Sequence, residues 1–180
     1  GLLAGISAPA FVEESVSAAP MAAVLPGDVV ISEFRFLGPA GLNDEFIELY
    51  NPKNVPVDLT NLKIMGSSNA GATSTRATFL VPVTLQPGQY YLLVNAAASA
   101  GLLALQDATY ATGIATDGGI AITWNDGTTI IDAVGLSAGS AYKEGTTLAP
   151  LAGTADQSYE RKGGGCADTG DNSADFVLRN

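Results

Sequence analysis

The stretch DVVISEFRFLGPAGLNDEFIELYN, residues 28–51, decides the fold class of this chain. It holds two runs of alternating side chains, 29–36 and 46–50, on either side of Gly38, Pro39 and Gly41. Side chains alternate between the two faces of a strand, so each run has one face to bury. Glycine and proline supply the backbone angles of a turn. We therefore predict two β-strands joined by a turn.

Strict alternation also assigns a face to every side chain of the first strand. One predicted face carries Val30, Ser32, Phe34 and Phe36, and the other carries Val29, Ile31, Glu33 and Arg35. On this assignment Glu33 and Arg35 are neighbours on one side, and we expect a solvated ion pair that contributes little to stability.

The composition describes a chain that can fold without cross-links. Of its 180 residues, 47% are hydrophobic and only 14% are charged, which suffices to bury a sizeable core in one domain. Nine prolines and 21 glycines spread along the chain favour many short strands joined by tight turns.

The charge balance excludes several functional classes. The net charge is −10, with eight Lys+Arg scattered along the chain, so we expect no nucleic-acid partner. With no histidine and one cysteine, zinc sites and histidine-based catalytic triads are excluded. Cys166 has no internal disulfide partner, and it is either an incidental or buried thiol or an intermolecular link. An acidic but sparsely charged chain fits a soluble extracellular protein.

Further alternating segments predict the rest of a strand-rich fold. Apolar residues at 57, 59, 62 and 64 predict a third strand, residues 66–76 a polar loop, 77–85 a strand interrupted at Pro82, and 90–95 a strongly apolar strand. Residues 96–118 are expected to hold a short helix or loop with Leu102, Leu103 and Leu105 packed inward. Residues 119–134 predict a hairpin turning at Asn125-Asp126-Gly127, with Trp124 closing the core. Short strands are predicted near 157–161 and 174–178.

Several of these segments together resemble the lamin tail domain family in its bacterial and archaeal form. The segments are VVISEFRF, DEFIELYNP, VPVDLTNLKI, LQPGQYYLLVN, DGGIAITWNDGTTIIDAV and the closing SYERK with CADTGDNSADF, within about residues 28–178. The resemblance implies an all-β, immunoglobulin-like β-sandwich. It also implies a non-catalytic module, often exported, that serves interaction or anchoring, with no catalytic residues to carry over.

Residues 1–26 differ from the rest and are predicted to be an extended N-terminal arm outside a sandwich of residues 27–180. The segment LLAGISAPA resembles the remnant of an export signal, although no charged region precedes it. Glu13, Glu14 and three prolines argue against a membrane span. Alternation along the arm predicts a strip of mostly small apolar side chains, at Leu2, Ala4, Ile6, Ala8, Ala10 and Val12. Such a strip can pair with the chain's own domain or with a neighbouring subunit.

One acidic loop is a candidate metal site. Asp168, Asp171 and Asp175, with Asn172 among them, crowd a glycine-rich stretch, and Ca²⁺ takes six to eight oxygen ligands. The spacing does not match an EF-hand, and such residues also cap turns through their own side chains. Glu45 and Glu48 are three residues apart, which places them on opposite strand faces and argues against a shared catalytic site. We expect no obligatory cofactor, with Ca²⁺ as the one metal that this loop suggests.

Two functions therefore remain open from sequence. The first is a non-catalytic subunit of an extracellular filament or surface assembly, built by insertion of the arm (Leu2, Ala4, Ile6, Ala8 and Val12) into another copy of the chain. The second is a binding or anchoring module of a larger exported protein.

Overall fold

Twelve strands and two short helices form the part of the chain that the computed structural model describes, residues 23–180. The elements are β1 (Val30–Arg35), β2 (Phe46–Tyr50), β3 (Val57–Asp58), β4 (Leu62–Ser67), β5 (Thr73–Thr78), β6 (Thr84–Leu85), β7 (Tyr90–Asn95), α1 (Ala100–Leu103), β8 (Ala108–Tyr110), β9 (Gly119–Trp124), β10 (Ile130–Gly135), β11 (Ser158–Arg161), α2 (Asn172–Asp175) and β12 (Phe176–Arg179). The opening stretch forms the antiparallel pair β1 and β2, as predicted.

The strands lie in two main sheets that face each other. One sheet has six strands in the order β12-β11-β1-β2-β7-β8, and the other has four in the order β10-β9-β4-β5. A two-stranded ribbon, β3 with β6, lies beside them. All pairings are antiparallel except β7 with β8, which is parallel. This arrangement confirms the predicted immunoglobulin-like β-sandwich.

The core fills the space between the two sheets. Its fully buried side chains come from both sheets and include Ile31, Phe34, Ile47, Leu49, Leu62, Ile64, Leu93, Ile120 and Ile122. Aromatic rings close it at one end, where Phe34 contacts Phe36, Tyr159 and Phe176 with ring centroids 4.8–5.7 Å apart. Trp124 is partly buried and packs against the hydrophobic core between the sheets, as predicted.

A β-bulge in β1 overturns the strict face assignment. The register with β2 shifts between Ile31 and Glu33, so Ser32 is the extra residue. Ile31 pairs with Leu49, and Phe34 pairs with Ile47. Alternation in β2 places Leu49 and Ile47 on the same face, so Ile31 and Phe34 also share the core face. The prediction that they lie on opposite faces was wrong, because one inserted residue reverses the alternation.

The predicted ion pair between Glu33 and Arg35 is also wrong. Arg35 is buried and binds Asp44 at 2.9 Å and Asp156 at 2.7 Å. Glu33 instead accepts a hydrogen bond from the Ser158 hydroxyl on the neighbouring strand β11. Partners distant in sequence thus replace the local pairing.

Two boundaries in the middle of the chain differ from the predictions. Residues 66–76 are not one polar loop, because β4 extends to Ser67 and β5 begins at Thr73. The expected strand over 77–85 ends at Thr78, and only Thr84–Leu85 resumes pairing as β6. The expected single strand from 57 to 64 is split between β3 and β4, although its four apolar anchors are buried.

The segment from 96 to 118 contains more regular structure than expected. It forms α1 and then the three-residue strand β8, which the sequence pattern did not predict. None of the three leucines expected to pack inward is fully buried, and Leu105 is 69% exposed. The following hairpin of β9 and β10 is confirmed, with Gly127 at φ +71° in its turn.

The arm lies almost entirely outside the described residues. The predicted interface residues Leu2, Ala4, Ile6, Ala8 and Val12 all fall in 1–22. Val24 is buried and belongs to the core cluster, so the packed body begins before residue 27. No helix between residues 23 and 180 has the length and apolarity to cross a bilayer.

Candidate functional site

A buried ion pair links the two sheets. Asp132 of β10 accepts hydrogen bonds from Arg161 Nη2 of β11 at 2.7 and 2.9 Å, and both side chains are fully buried. Arg161 Nε donates to the Ile31 carbonyl, and the Ile31 amide donates to Asp132 Oδ2 at 2.6 Å. The guanidinium also lies over the Phe176 ring, 4.6 Å from its centroid. Three strands therefore converge on one charged pair.

Further carboxylates surround Arg161. Its Nη1 lies 3.7 Å from Asp168 and 3.8 Å from Asp175. Burial raises the pKa of Asp132, and the adjacent Arg161 guanidinium offsets part of that rise. Burial, together with the charges of Asp132 and Asp168, raises the pKa of Glu144 to about 7. Glu144 Oε2 is buried without a hydrogen-bond partner in the described part of the chain.

The structure gives the three predicted calcium ligands separate roles. Asp171 caps α2 by accepting hydrogen bonds from the Ser173 and Ala174 amides. Asp175 is buried and accepts from the Thr169 amide and hydroxyl. Asp168 alone joins a group that could hold a metal, since one oxygen each from Asp132, Glu144 and Asp168 lies within 4.8 Å of the others.

The carboxylates of Asp132, Glu144 and Asp168 belong to an ion-pair network around Arg161. Both Asp132 oxygens bind Arg161, so a cation would have to compete with a buried guanidinium for the same ligand. Desolvated charges of this kind are held by mutual pairing and hydrogen bonds. The arrangement can connect the sheets, and it contains no nucleophile with an adjacent base.

A second acidic surface lies on the outer face of the six-stranded sheet. Glu33 pairs directly with Glu160 on one side and with Glu48 on the other. Like charges placed opposite each other across strands are destabilising. Burial first, and then the charges of Glu33 and Glu160, raise the pKa of Glu48. The Ser32 and Ser158 hydroxyls donate hydrogen bonds to carboxylates of this row, and Arg179 forms an ion pair with Glu160. These contacts offset part of the repulsion.

Two tyrosines adjoin this carboxylate row. Tyr50 and Tyr90 pack with ring centroids 4.5 Å apart, and Tyr90 is 46% exposed. A shallow groove of about 350 Å³ runs beside them along Glu33, Glu48 and Glu160. Exposed aromatic faces beside carboxylates attract cationic groups. We call these five residues the acidic-tyrosine face.

Glu45 and Glu48 do not share a site, as their spacing predicted. Glu45 is buried and accepts hydrogen bonds from the Asn95 amide group and the Ile114 backbone amide, both at 2.9 Å. Glu48 accepts from the Ser32 hydroxyl at 2.7 Å on the outer face. Burial raises the pKa of Glu45, and its hydrogen bonds make it a structural link rather than a catalytic pair.

A third surface is the edge of the four-stranded sheet at β5. Thr73, Ser74 and Thr75 are exposed, and the strand pairs only with β4 among the described residues. Arg76 is the extra residue of a bulge opposite Ile64 and Met65, and its guanidinium lies over Gly66. A Cβ at Gly66 would lie 2.6 Å from Arg76 Cζ, so a larger residue there would displace the guanidinium.

Comparison with protein families identifies the family of this chain. The model described as Lamin Tail Domain matches residues 23–148, which is more than two thirds of the sequence. The chain belongs to the lamin tail domain family. No curated protein matches the chain. The family consists of non-catalytic immunoglobulin-like domains, in agreement with the resemblance seen in the sequence.

The lamin tail match ends before the last two strands. Residues 149–180 contain β11 and β12, yet β11 pairs directly with β1 and supplies Arg161. The closing segment is therefore part of the same sandwich as the matched region.

Sequence reasoning missed Asp132, Glu144 and Arg161 as a group. A charge inside the apolar run IIDAV was a signal that Asp132 has a buried partner. Nothing in the sequence paired it with Arg161, because the two are 29 residues apart. Cys166 is exposed, and the intermolecular disulfide stays a prediction.

Proposed function

We propose that this lamin tail domain protein is a non-catalytic structural subunit of an extracellular assembly, which polymerises when its N-terminal arm (residues 1–22) adds to another copy. The observation that carries this proposal is the outer edge of β5, which no strand within residues 23–180 pairs and where Thr73, Ser74 and Thr75 are exposed. An unpaired strand edge is a template for strand addition, in which backbone hydrogen bonds provide affinity.

The arm has the composition that such an addition requires. Leu2, Ala4, Ile6, Ala8 and Val12 recur with period two, and alternating side chains give a donated strand its register. A head-to-tail contact whose rotation does not close generates a helical polymer. The similarity of LLAGISAPA to an export segment supports an extracellular location.

The absence of catalysis belongs to the same proposal. The lamin tail family is non-catalytic, and the sequence contains no histidine. Within residues 23–180, Glu45, Glu48 and Asp132 have raised pKa values and accept hydrogen bonds from structural partners. Glu144 Oε2 has no such partner among these residues, and Glu144 lies in the group with Asp132 and Asp168. The sequence offers no histidine that could activate a serine, threonine or cysteine as a nucleophile.

Deletion of residues 1–22 tests the proposal. The full chain should form polymers by light scattering and negative-stain electron microscopy, and the shortened chain should be monomeric. The deletion stops before Val24 because that side chain is part of the core. Polymers that survive the deletion, or a full chain that stays monomeric at high concentration, would refute the proposal.

A matched pair of arm variants sharpens the test. Leu2→Ser with Ile6→Ser changes the predicted apolar strip, whereas Leu3→Ser with Phe11→Ser changes the opposite side. We expect the first pair to reduce assembly more than the second. Equal effects would indicate that the arm does not pair as a strand.

A binding module is the second candidate, and the acidic-tyrosine face favours it. Its carboxylates and its exposed tyrosine suit a positively charged partner. Calorimetric titration with polylysine would test this face. The affinity for polylysine should fall in Tyr90→Ala, in Glu160→Gln and with added salt. If both variants bind polylysine as tightly as the unmodified chain does, the acidic-tyrosine face is not the binding site.

A further inference from the structure

Four edge strands end the two main sheets, and β5 is the long one that the described residues leave uncovered. β8 and β12 have three and four residues. β10 has six, but the Asn172 side chain binds its Ala133 carbonyl and Gly135 amide, and the Leu148 amide binds its Gly135 carbonyl. β5 has six residues and, among residues 23–180, pairs with β4 alone.

The backbone of β5 presents outward groups at defined positions. The Ser68 amide donates to the Ala72 carbonyl at 2.8 Å, so this pair is hydrogen bonded between the strands. Hydrogen-bonded and non-hydrogen-bonded pairs alternate in an antiparallel ladder. Thr73 and Thr75 pair with Ser67 and Met65 at the non-bonded positions, so their amides point away from β4.

One further feature near this edge fits an incoming strand. Leu80 and Val81, just beyond β5, are 78% and 68% exposed and form an apolar surface at its end. Outward backbone amides and an exposed apolar surface thus follow one another along this segment.

We propose that the outer edge of β5 is the acceptor for the N-terminal arm of a second copy of this chain. This inference rests on the proposed function and names its binding site. Residues 1–22 precede the described region, and a chain of that length spans at most roughly 70 Å. That length is sufficient to reach a neighbouring subunit.

The chemistry of the arm matches this edge. Its apolar strip, with Leu2, Ile6 and Val12, can offer an apolar side chain to the surface at Leu80 and Val81. Glu13 and Glu14 are its only charged residues. The carboxylate row of the acidic-tyrosine face would repel the same segment, so charge favours β5.

A proline at position 75 provides the test in the full chain. Thr75→Pro removes the outward amide, whereas the control Thr75→Ala removes the side chain and keeps the amide. We expect Thr75→Pro to lower the polymer fraction about tenfold or more and Thr75→Ala to assemble like the unmodified chain. Both should melt within about 5 °C of the unmodified chain, since the outward amide makes no bond to β4. Thr73→Pro is the second variant if Thr75→Pro does not fold.

A mixing experiment separates the two proposals. Full-chain Thr75→Pro can donate its arm but not accept one, and the chain without residues 1–22 can accept but not donate. Each alone should be monomeric, and together they should form a one-to-one complex by light scattering. If the unmodified chain polymerises and folded proline variants polymerise equally well, the β5 acceptor is wrong while the proposed function stands. If the unmodified chain is monomeric because its arm binds its own β5, the proposed function fails.

Discussion

The two edges of the four-stranded sheet show how one sandwich treats equivalent positions differently. Both β10 and β5 are six-residue edge strands. Side chains from β11 and α2 cover β10, whereas the described residues leave the outer side of β5 exposed. A covered edge contributes to the stability of the subunit, and an open one is available for pairing with another chain. Changes at β10 should therefore affect folding, and changes at β5 should affect association.

The largest expected effect is at the ion pair that joins β10 to the six-stranded sheet. Arg161→Met leaves Asp132 buried without its partner, and we expect a loss of about 3–5 kcal/mol of unfolding free energy. Urea denaturation measures this loss. The control is Arg179→Met, whose exposed pair with Glu160 should contribute no more than about 1 kcal/mol. Equal losses in the two variants would show that burial of the pair does not matter.

A smaller loss is expected at the amide that covers the end of β10. Asn172→Ala removes hydrogen bonds to the Ala133 carbonyl and to the Gly135 and Glu144 amides, all at 2.9–3.0 Å. We expect a loss of about 2–3 kcal/mol, because buried backbone groups lose their partners. Asn54→Ala, in an exposed loop, is the control and should change stability by less than about 0.5 kcal/mol. A minor change in Asn172→Ala would mean that water replaces the amide.

Glu144 should make the covered edge sensitive to pH. Its pKa is raised from 4.5 to about 7 in the folded protein. The folded chain therefore holds this proton more tightly than the unfolded chain does. The resulting stability is fully present below about pH 4.5 and is lost as the pH rises through about 7.

The variant Glu144→Gln removes this titration. Between pH 5 and pH 8 the unmodified chain should lose about 1–2 kcal/mol more stability than the variant does. Thermal and urea melts at several pH values measure the difference. Parallel pH profiles would show that Glu144 does not titrate in this range.

The smallest effect is expected on the open edge. Thr73→Ala on β5 should change the stability of the arm-deleted monomer by less than about 0.5 kcal/mol, since the side chain is exposed. Urea denaturation of the chain without residues 1–22 measures it. A loss as large as that of Asn172→Ala would show that β5 is a structural edge and would weaken its assignment as an acceptor.

The sequence predicted the position of those strands that carry a local run of apolar residues. β1, β2, β7 and the β9–β10 hairpin each carry such a run, and each was found close to its predicted position, although a bulge changed which faces of β1 are buried. β5 was missed because TSTRAT contains no apolar alternation. Its strand conformation depends on pairing with β4, which a single-segment pattern does not reveal. β8 was missed because three residues are too short to show a period.

The candidate sites were less predictable than the strands. Asp168, Asp171 and Asp175 are close in sequence, but they do not share a site. Asp171 caps helix α2, and Asp175 accepts a hydrogen bond from the Thr169 hydroxyl. Asp168 instead meets Asp132 and Glu144, which come from distant segments. Proximity in sequence therefore did not predict which carboxylates share a site.

By itself, the sequence determined that this chain is rich in β-strands, because strand periodicity and composition are local properties, and its resemblance to the lamin tail domain family implied the sandwich. Only the tertiary structure decided which faces are buried after the bulge at Ser32, and which edge of the four-stranded sheet is covered. A one-residue insertion reverses every following side chain, and edge covering depends on residues far along the chain. Both are consequences of long-range pairing, which no local pattern encodes.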